Sequence, residues 1–273
     1  MNRAIRPVLA LAALCMSATA AEAHFNMLLP DKHSVKKGET VTFTYQWGHP
    51  FEHQLFDAPK PERVVVRAPD GKETDLTKTL EKTTVQGAEG KKVVAYTFKF
   101  TPKERGDYVF GLMTPPIWMA KEEEFFQDIV RVVLHVQAQK GWDRIIRTLE
   151  DDIFEMMPLT RPYGLQAGMV FQAEMWHRKR KFGDIPFEVK PDSRVLVEIE
   201  RYNVTAPKKL PPDEHITRTA NTDRNGVVTC TLTEPGWWSL TAQRKNGDKE
   251  RKGKKYPVRE RATFWVYVDE PVK

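Results

Sequence analysis

The stretch Thr40-Val41-Thr42-Phe43-Thr44-Tyr45-Gln46-Trp47 alternates polar and apolar side chains along its whole length. Because successive side chains of a strand point to opposite faces, this period of two is typical of a strand with one buried face. Similar short runs follow at 63–68, 92–100, 106–110 and 129–136, with turn residues such as Pro69-Asp70-Gly71 between them. Short strands at this spacing predict an antiparallel sandwich over residues 24–139.

The second half of the chain repeats the pattern. Candidate strands lie at 170–176, 195–199, 227–233, 237–243 and 262–268. Val195, Val197 and Ile199 form the more apolar set of their strand, so Glu198 and Glu200 are expected to face solvent, with a paired carboxylate site as the alternative. We therefore predict an all-β protein of two antiparallel Ig-like β-sandwich domains, the second over residues 161–273.

Residues 140–160 differ in pattern from both halves. Apolar residues between positions 141 and 157 recur at steps of three and four, with Asp143, Arg144 and Glu150 on the other face. This period is typical of an amphipathic helix, and Pro158 and Pro162 are expected to end it. We predict a short helical connector between the two domains.

The first 23 residues have the composition of a secretory signal peptide. Arg3 and Arg6 precede an apolar run at 8–16, and Ala21-x-Ala23 provides two small residues at a cleavage site. Removal of residues 1–23 would make His24 the first residue of the mature protein. We therefore expect a secreted chain.

Charge and cysteine content limit the class of partner. The formal net charge is +6, and removing Arg3, Arg6 and Glu22 leaves +5. The densest basic stretch, 244–255, is rich in Gly and Lys and is predicted to be a solvated loop, so no nucleic-acid partner is expected. Cys230 is the only cysteine of the predicted mature chain, which excludes an intrachain disulfide and favours a buried, inert thiol.

Histidines near the predicted mature terminus form a candidate metal site. An N-terminal His24 could bind a metal through its imidazole and its free α-amine, whose ordinary pKa of about 7.7–8.0 lets a metal displace the proton. If the loop that follows the predicted strand at 40–47 coils helically, His49 and His53 point the same way, with Glu52 beside them. The alternative is that His49 and His53 are loop residues in contact with water.

The chain resembles the periplasmic component family associated with nickel and cobalt uptake, the NikM-like, DUF4198-type domains. The resemblance covers nearly all of the mature sequence. It rests on His24-Phe25, on the run 45–52 (Tyr-Gln-Trp-Gly-His-Pro-Phe-Glu), on 158–163 leading to Ala167-Gly168, and on 222–226 followed by 235–238. The stretch 177–186 is longer and more basic than the corresponding turn of such families. The resemblance implies a periplasmic location and a metal-handling role.

These observations leave three functional hypotheses. The leading one is a non-catalytic protein that captures a divalent transition metal, nickel or cobalt with copper or zinc as alternatives, and passes it to the membrane components of an ABC-type uptake system. His24, His49 and His53 would be nitrogen ligands, and Glu52 an oxygen ligand or an orienting group. The second is a copper-dependent redox enzyme that uses the N-terminal His chelate. The third is a metal-free structural or adhesive sandwich module.

Overall fold

The computed structural model describes residues 24–144, 146, 153–179 and 188–271. These residues form strands joined by turns and by three short 3-10 helices at Thr77–Thr79, Ala88–Gly90 and Asp213–His215. The strands are β1 Phe25–Pro30, β2 Ser34–Val35, β3 Val41–His49, β4 Gln54–Phe56, β5 Arg63–Arg67, β6 Glu73–Asp75, β7 Glu81–Gln86, β8 Lys92–Phe100, β9 Gly106–Met113, β10 Ile117–Met119, β11 Glu124–Val136, β12 Ile153–Pro158, β13 Leu165–Gln166, β14 Val170–Lys179, β15 Glu188–Pro191, β16 Leu196–Arg201, β17 Arg218–Asn221, β18 Val227–Thr231, β19 Gly236–Arg251 and β20 Lys254–Asp269. The prediction of an all-β protein is confirmed.

The strands form three sheets. A central sheet of eleven strands has the order β17-β16-β19-β20-β11-β9-β5-β6, with β2, β10 and β13 attached. A first flanking sheet has the order β1-β3-β8-β7 with β4 beside β3, and a second has the order β12-β14-β15 with β18 beside β14. The central sheet is therefore built from both halves of the chain.

Parallel pairing joins the two halves within the central sheet. Residues 125–132 of β11 pair in order with residues 258–265 of β20, so the two strands run in the same direction. The predicted boundary at 140–160 stays a prediction, as does the Ig-like description of the two halves. Their strands are hydrogen-bonded neighbours in one sheet.

Both faces of the central sheet are covered by apolar side chains. On β11, Val130, Val132 and Leu134 pack into a core with the first flanking sheet, whereas Ile129 and Val133 pack into a core with the second. This alternation follows from the period of two in a strand. Because both faces are buried, β11 carries apolar residues at the consecutive positions 129–130 and 132–134 rather than at every second one.

The predicted helical connector is corrected over its last residues. Residues 153–158 are strand β12, which pairs antiparallel with β14, and Phe154 and Met156 are buried in the second core. The two residues are two positions apart, which is the period of a strand, and the pairing with β14 overrides the helical pattern of the preceding apolar residues. Residues 141–143, where the predicted helix begins, form a bend and a turn, whereas position 145 and positions 147–152 lie outside the described residues, as does the predicted signal peptide.

Two further expectations are wrong. The basic stretch 244–255 is not a loop but the end of a long hairpin, in which β19 and β20 pair up to Arg251 and Lys254 around Lys252-Gly253. Both turn residues have positive φ, which is the requirement of a two-residue hairpin turn. Glu200 does not face solvent and is 2% exposed.

No helix within the described ranges is long and apolar enough to cross a membrane.

Candidate metal site at the β1–β3–β4 corner

Strand pairing brings His24 and His49 together. β1 pairs antiparallel with β3, with Phe25 opposite Gly48, and the next pair in this register is His24 and His49. Directly opposed residues of an antiparallel pair have Cβ atoms about 4.5–5.5 Å apart. The two imidazole rings accordingly lie with centroids 4.8 Å apart and planes inclined by 62°.

Aromatic side chains surround the two imidazoles. Trp47 stacks on the His24 ring at 5.3 Å between centroids. Phe56, opposite Trp47 on β4, lies 5.2 Å from the His24 ring and 5.4 Å from the His49 ring. We call the group of His24, Trp47, His49 and Phe56 the aromatic corner. All four side chains are half-buried.

Hydrogen bonding leaves one nitrogen of His49 available. Its Nδ1 lies 3.0 Å from Oε1 of Gln54, the residue opposite it on β4. Because the amide oxygen accepts, Nδ1 carries the proton and the lone pair lies on Nε2. Nε2 is buried and has no hydrogen-bond partner in the described part of the chain.

The hairpin between β3 and β4 depends on Gly48. Its φ is 151°, and a Cβ atom there would lie 2.1 Å from the carbonyl oxygen of Gln54. Only glycine allows β4 to return this close to β3. The loop 49–53 is therefore a hairpin loop and not a helical turn, and His49 and His53 do not share a face as predicted.

His53 points away from the aromatic corner. It is 8% exposed, with Nδ1 at 2.9 Å from the carbonyl oxygen of Asn203 and Nε2 at 2.9 Å from that of Gln86. Both ring nitrogens therefore face backbone carbonyl oxygens, and a neutral imidazole donates a hydrogen bond to one of them. This arrangement gives His53 an anchoring role and directs both of its ring nitrogens at backbone carbonyl oxygens and not at the aromatic corner.

Residues 200–203, at the end of β16, clamp the loop from the second half of the chain. The amide nitrogen of Asn203 donates to the carbonyl oxygen of Pro50 at 3.0 Å, and its side-chain amide donates to that of Phe51 at 2.6 Å. The amide nitrogen of Phe51 donates to Oε1 of Glu200 at 3.1 Å. We call residues 200–203 the loop clamp.

Burial changes the chemistry of Glu200. Desolvation raises the pKa of this carboxyl to about 8, against the opposing hydrogen bonds from Thr217 and Phe51 and with a smaller contribution from nearby Glu52. Glu52 itself is half-buried, and its Oε2 has no hydrogen-bond partner among the described residues. The loop therefore lies on a carboxyl group that is neutral at moderate pH.

The central sheet holds the start of β1 in place. Arg261, 3% exposed, is paired with Asp128 at 2.8 Å and donates through Nη2 to the carbonyl oxygen of His24. Arg261 binds the backbone carbonyl group of His24, so this hydrogen bond does not involve the imidazole or the α-nitrogen of that residue. Burial also raises the pKa of the Glu198 carboxyl, and the positive charge of Arg261 partly offsets this rise.

A family model covers most of this architecture. The domain of unknown function DUF4198 matches residues 21–246, which include β1, the hairpin loop and the loop clamp. The chain belongs to the DUF4198 family. This match does not test the predicted resemblance to nickel and cobalt uptake proteins.

Other comparisons with this DUF4198 chain give low structural similarity. No curated protein matches it. A proposed carbohydrate-binding protein of Pseudomonas aeruginosa shares 18% identity over 31% of this chain and 74% of its own, with a TM-score of 0.21. Alpha-2-macroglobulin of Escherichia coli shares 14% identity over 90% of this chain and 20% of its own, with a TM-score of 0.23. The Yersinia pseudotuberculosis adhesin InvE shares 15% identity over 88% and 58%, with a TM-score of 0.21. Scores this low carry no inference about function.

The DUF4198 chain contains site residues that the sequence analysis missed. Gln54 and Phe56 could have been found, because the run Gln54-Leu55-Phe56 after a turn indicates a hairpin partner for β3. Asn203 and Arg261 are about 150 and 240 positions away from the residues they hold, and no local pattern indicates such contacts. Within the described ranges, no group of three or more His, Cys, Asp or Glu side chains is placed to hold a metal.

Proposed function

We propose that the processed protein is a periplasmic, non-catalytic carrier that binds one divalent first-row transition metal at the aromatic corner. Three nitrogens would hold the ion: the α-amine and imidazole of His24, and Nε2 of His49. Two residues suffice for this set because the first residue of a chain supplies two nitrogens. The proposal rests on cleavage after Ala23.

One observation carries the proposal: His49 Nε2 is buried and unpartnered beside the His24 ring. A buried polar atom without a partner costs stability, so such atoms are rare and call for an explanation. With metal–nitrogen bonds of about 2.0–2.1 Å, two imidazoles on one ion have centroids roughly 4.5–6.5 Å apart. The observed separation of 4.8 Å falls within this interval.

The hydrogen bond from His49 to Gln54 supports the same proposal. Imidazole ligands usually donate their second N–H to an acceptor that fixes the tautomer and the ring orientation. Gln54 Oε1 is such an acceptor. In this proposal His53 holds the loop in place, and neither Glu52 nor His53 is a ligand, which narrows the ligand set expected from the sequence.

Nickel or cobalt is the proposed cargo, and the resemblance to uptake components is the reason for this choice. Nitrogen ligands alone do not distinguish these ions from copper or zinc, and intrinsic affinity favours copper. The selection would follow from metal supply and from delivery to the membrane components of an ABC-type transporter. Turnover of oxygen or peroxide by the copper-loaded protein would instead support a redox enzyme.

Calorimetric titration of nickel and copper tests this function. The protein that begins at His24 is compared with a variant that carries one additional Gly before His24. We expect the extension to weaken binding by tenfold or more, because the α-amine becomes an amide nitrogen and the chelate ring is lost. Equal affinity of both forms would refute the N-terminal chelate, and no saturable binding by either would favour a metal-free module.

A further inference from the structure

A basic cavity lies beside the loop clamp, at the ends of β16, β17 and β19. Its volume is about 280 Å³, and its walls include Phe51, Arg201, His215, Ile216, Arg218 and Trp238. Arg201 lies opposite Trp238 in the β16–β19 register, and Arg218 lies opposite Ile199 in the β16–β17 register. Two arginines thus occupy the end of a face that is apolar further along the same strands.

Arg218 is held in a defined orientation with its donors free. Its guanidinium carbon lies 4.6 Å above the Trp238 ring, a cation–π stack. The ring is 2% exposed and is fixed by a hydrogen bond of 2.8 Å from its Nε1 to the carbonyl oxygen of Glu234. In the part of the chain that the structure describes, the Arg218 guanidinium makes no hydrogen bond or ion pair.

The guanidinium of Arg201, in contrast, is hydrogen-bonded within the protein. Its Nε donates to the carbonyl oxygen of Pro235 at 3.1 Å, and its Nη1 donates to Asn203 Oδ1 at 2.9 Å. The same Nη1 lies 3.2 Å from Glu234 Oε2, so one carboxylate compensates this guanidinium. The uncompensated charge in the cavity is that of Arg218.

We propose that this cavity binds the carboxylate of a small organic monoanion. A stacked guanidinium presents its N–H groups in a planar fork that matches a carboxylate. A single uncompensated positive charge matches one negative charge, and the apolar walls from Phe51 and Ile216 suit an organic body better than a phosphate ion. The volume lies near the lower limit of ligand pockets and therefore selects a small molecule.

Benzoate is a suitable probe because benzamide has nearly the same shape without the charge. We expect saturable binding of benzoate to protein from which metal has been removed with a chelating resin, with a Kd of about 1 mM or below. Benzamide should bind at least tenfold more weakly. Benzoate should also shift the NMR signal of the Trp238 indole N–H, which lies beneath the arginine. This test does not require the metal site, so its result and that of the metal titration are independent.

Variants locate the probe. Arg218→Gln should weaken benzoate binding by tenfold or more, because the loss removes a charge-assisted pair of hydrogen bonds. Arg218→Lys keeps the charge without the planar fork and should also weaken it, which covers the case in which the Gln variant fails to fold. Arg224→Gln is the matched control, since Arg224 is exposed in the turn before β18 and its replacement causes the same charge change.

Three results would overturn the proposal. The first is the absence of saturable benzoate binding to the wild-type protein. The second is an equal loss in the Arg218→Gln and Arg224→Gln variants, which would indicate non-specific attraction to a basic protein. The third is inorganic phosphate that binds more tightly than benzoate, which would contradict the assignment of a monocarboxylate.

Discussion

The two ends of the hairpin loop 49–53 use their histidines in opposite ways. At one end, His49 gives Nδ1 to Gln54 and retains a buried, unpartnered Nε2 beside His24. At the other end, His53 places both ring nitrogens against backbone carbonyl oxygens of Asn203 and Gln86. Both residues are partly or wholly buried, so exposure does not separate them. The two histidines differ in the direction of their ring nitrogens: both nitrogens of His53 face backbone carbonyl oxygens, whereas Nε2 of His49 lies beside His24.

The difference shows what spacing along a chain can and cannot indicate. His49 and His53 are four positions apart, which would place them on one face of a helix. The close return of β4 at Gly48 makes the segment a hairpin, and the neighbour of His49 becomes Gln54 instead. His53 then acts with the loop clamp and His49 with the aromatic corner.

Replacement of His49 should have the largest effect on metal binding. His49→Ala removes a ligand, so we expect nickel and copper affinity to fall by about ten- to a hundredfold, measured by calorimetric titration of the processed protein. The melting temperature of the metal-free protein should fall modestly, because the hydrogen bond to Gln54 and the ring contact with Phe56 are lost. His215→Ala, at an exposed position, is the control and should bind as the wild type does. Unchanged affinity in the His49→Ala protein would remove His49 from the site.

Replacement of Gln54 should have an intermediate effect. Gln54→Leu retains most of the side-chain volume but removes the acceptor that keeps the proton on His49 Nδ1. We expect up to about tenfold weaker metal binding, because an orienting partner is lost and the ligand itself remains. A loss as large as that of His49→Ala would mean that Gln54 is itself a ligand.

Replacement of His53 should affect folding and not metal binding. His53→Ala removes a buried ring and the hydrogen bond that it donates to a carbonyl oxygen of Asn203 or Gln86, so the free energy of unfolding should fall by about 1–3 kcal/mol in urea titrations. Metal affinity should stay within about threefold of the wild type, because both His53 nitrogens face backbone carbonyl oxygens and not the aromatic corner. A variant as stable as the wild type that fails to bind metal would reverse the roles of the two histidines.

The carboxyl group beneath the loop should make stability depend on pH. Burial raises the pKa of Glu200 to about 8 in the folded protein, from an ordinary value of 4.5. Between these values the folded protein holds a proton that the unfolded chain has released, so stability falls as the pH rises, by up to about 1.4 kcal/mol per pH unit. Glu200→Gln should remove this decline in urea unfolding series between pH about 5 and about 8. A parallel decline in both proteins would assign it to other groups.

Much of the fold follows from local pattern, and much of the site does not. The alternation of Val41, Phe43 and Tyr45 predicts β3 because one face of that strand is buried and the other is not. The same reasoning fails for Glu200, since the face opposite Ile199 is also covered, here by the hairpin loop. Sequence places His24 and His49 in a candidate site, but the contacts of Asn203, Gln86 and Arg261 arise only from the pairing of distant strands.

Electron paramagnetic resonance of the copper-loaded, processed protein tests the central claim most directly, because superhyperfine structure counts the nitrogens bound to the ion. The account predicts three nitrogens in the wild type and in His53→Ala, and fewer in His49→Ala and in the Gly-extended form. A spectrum that loses a nitrogen on replacement of His53 but is unchanged on replacement of His49 would contradict it.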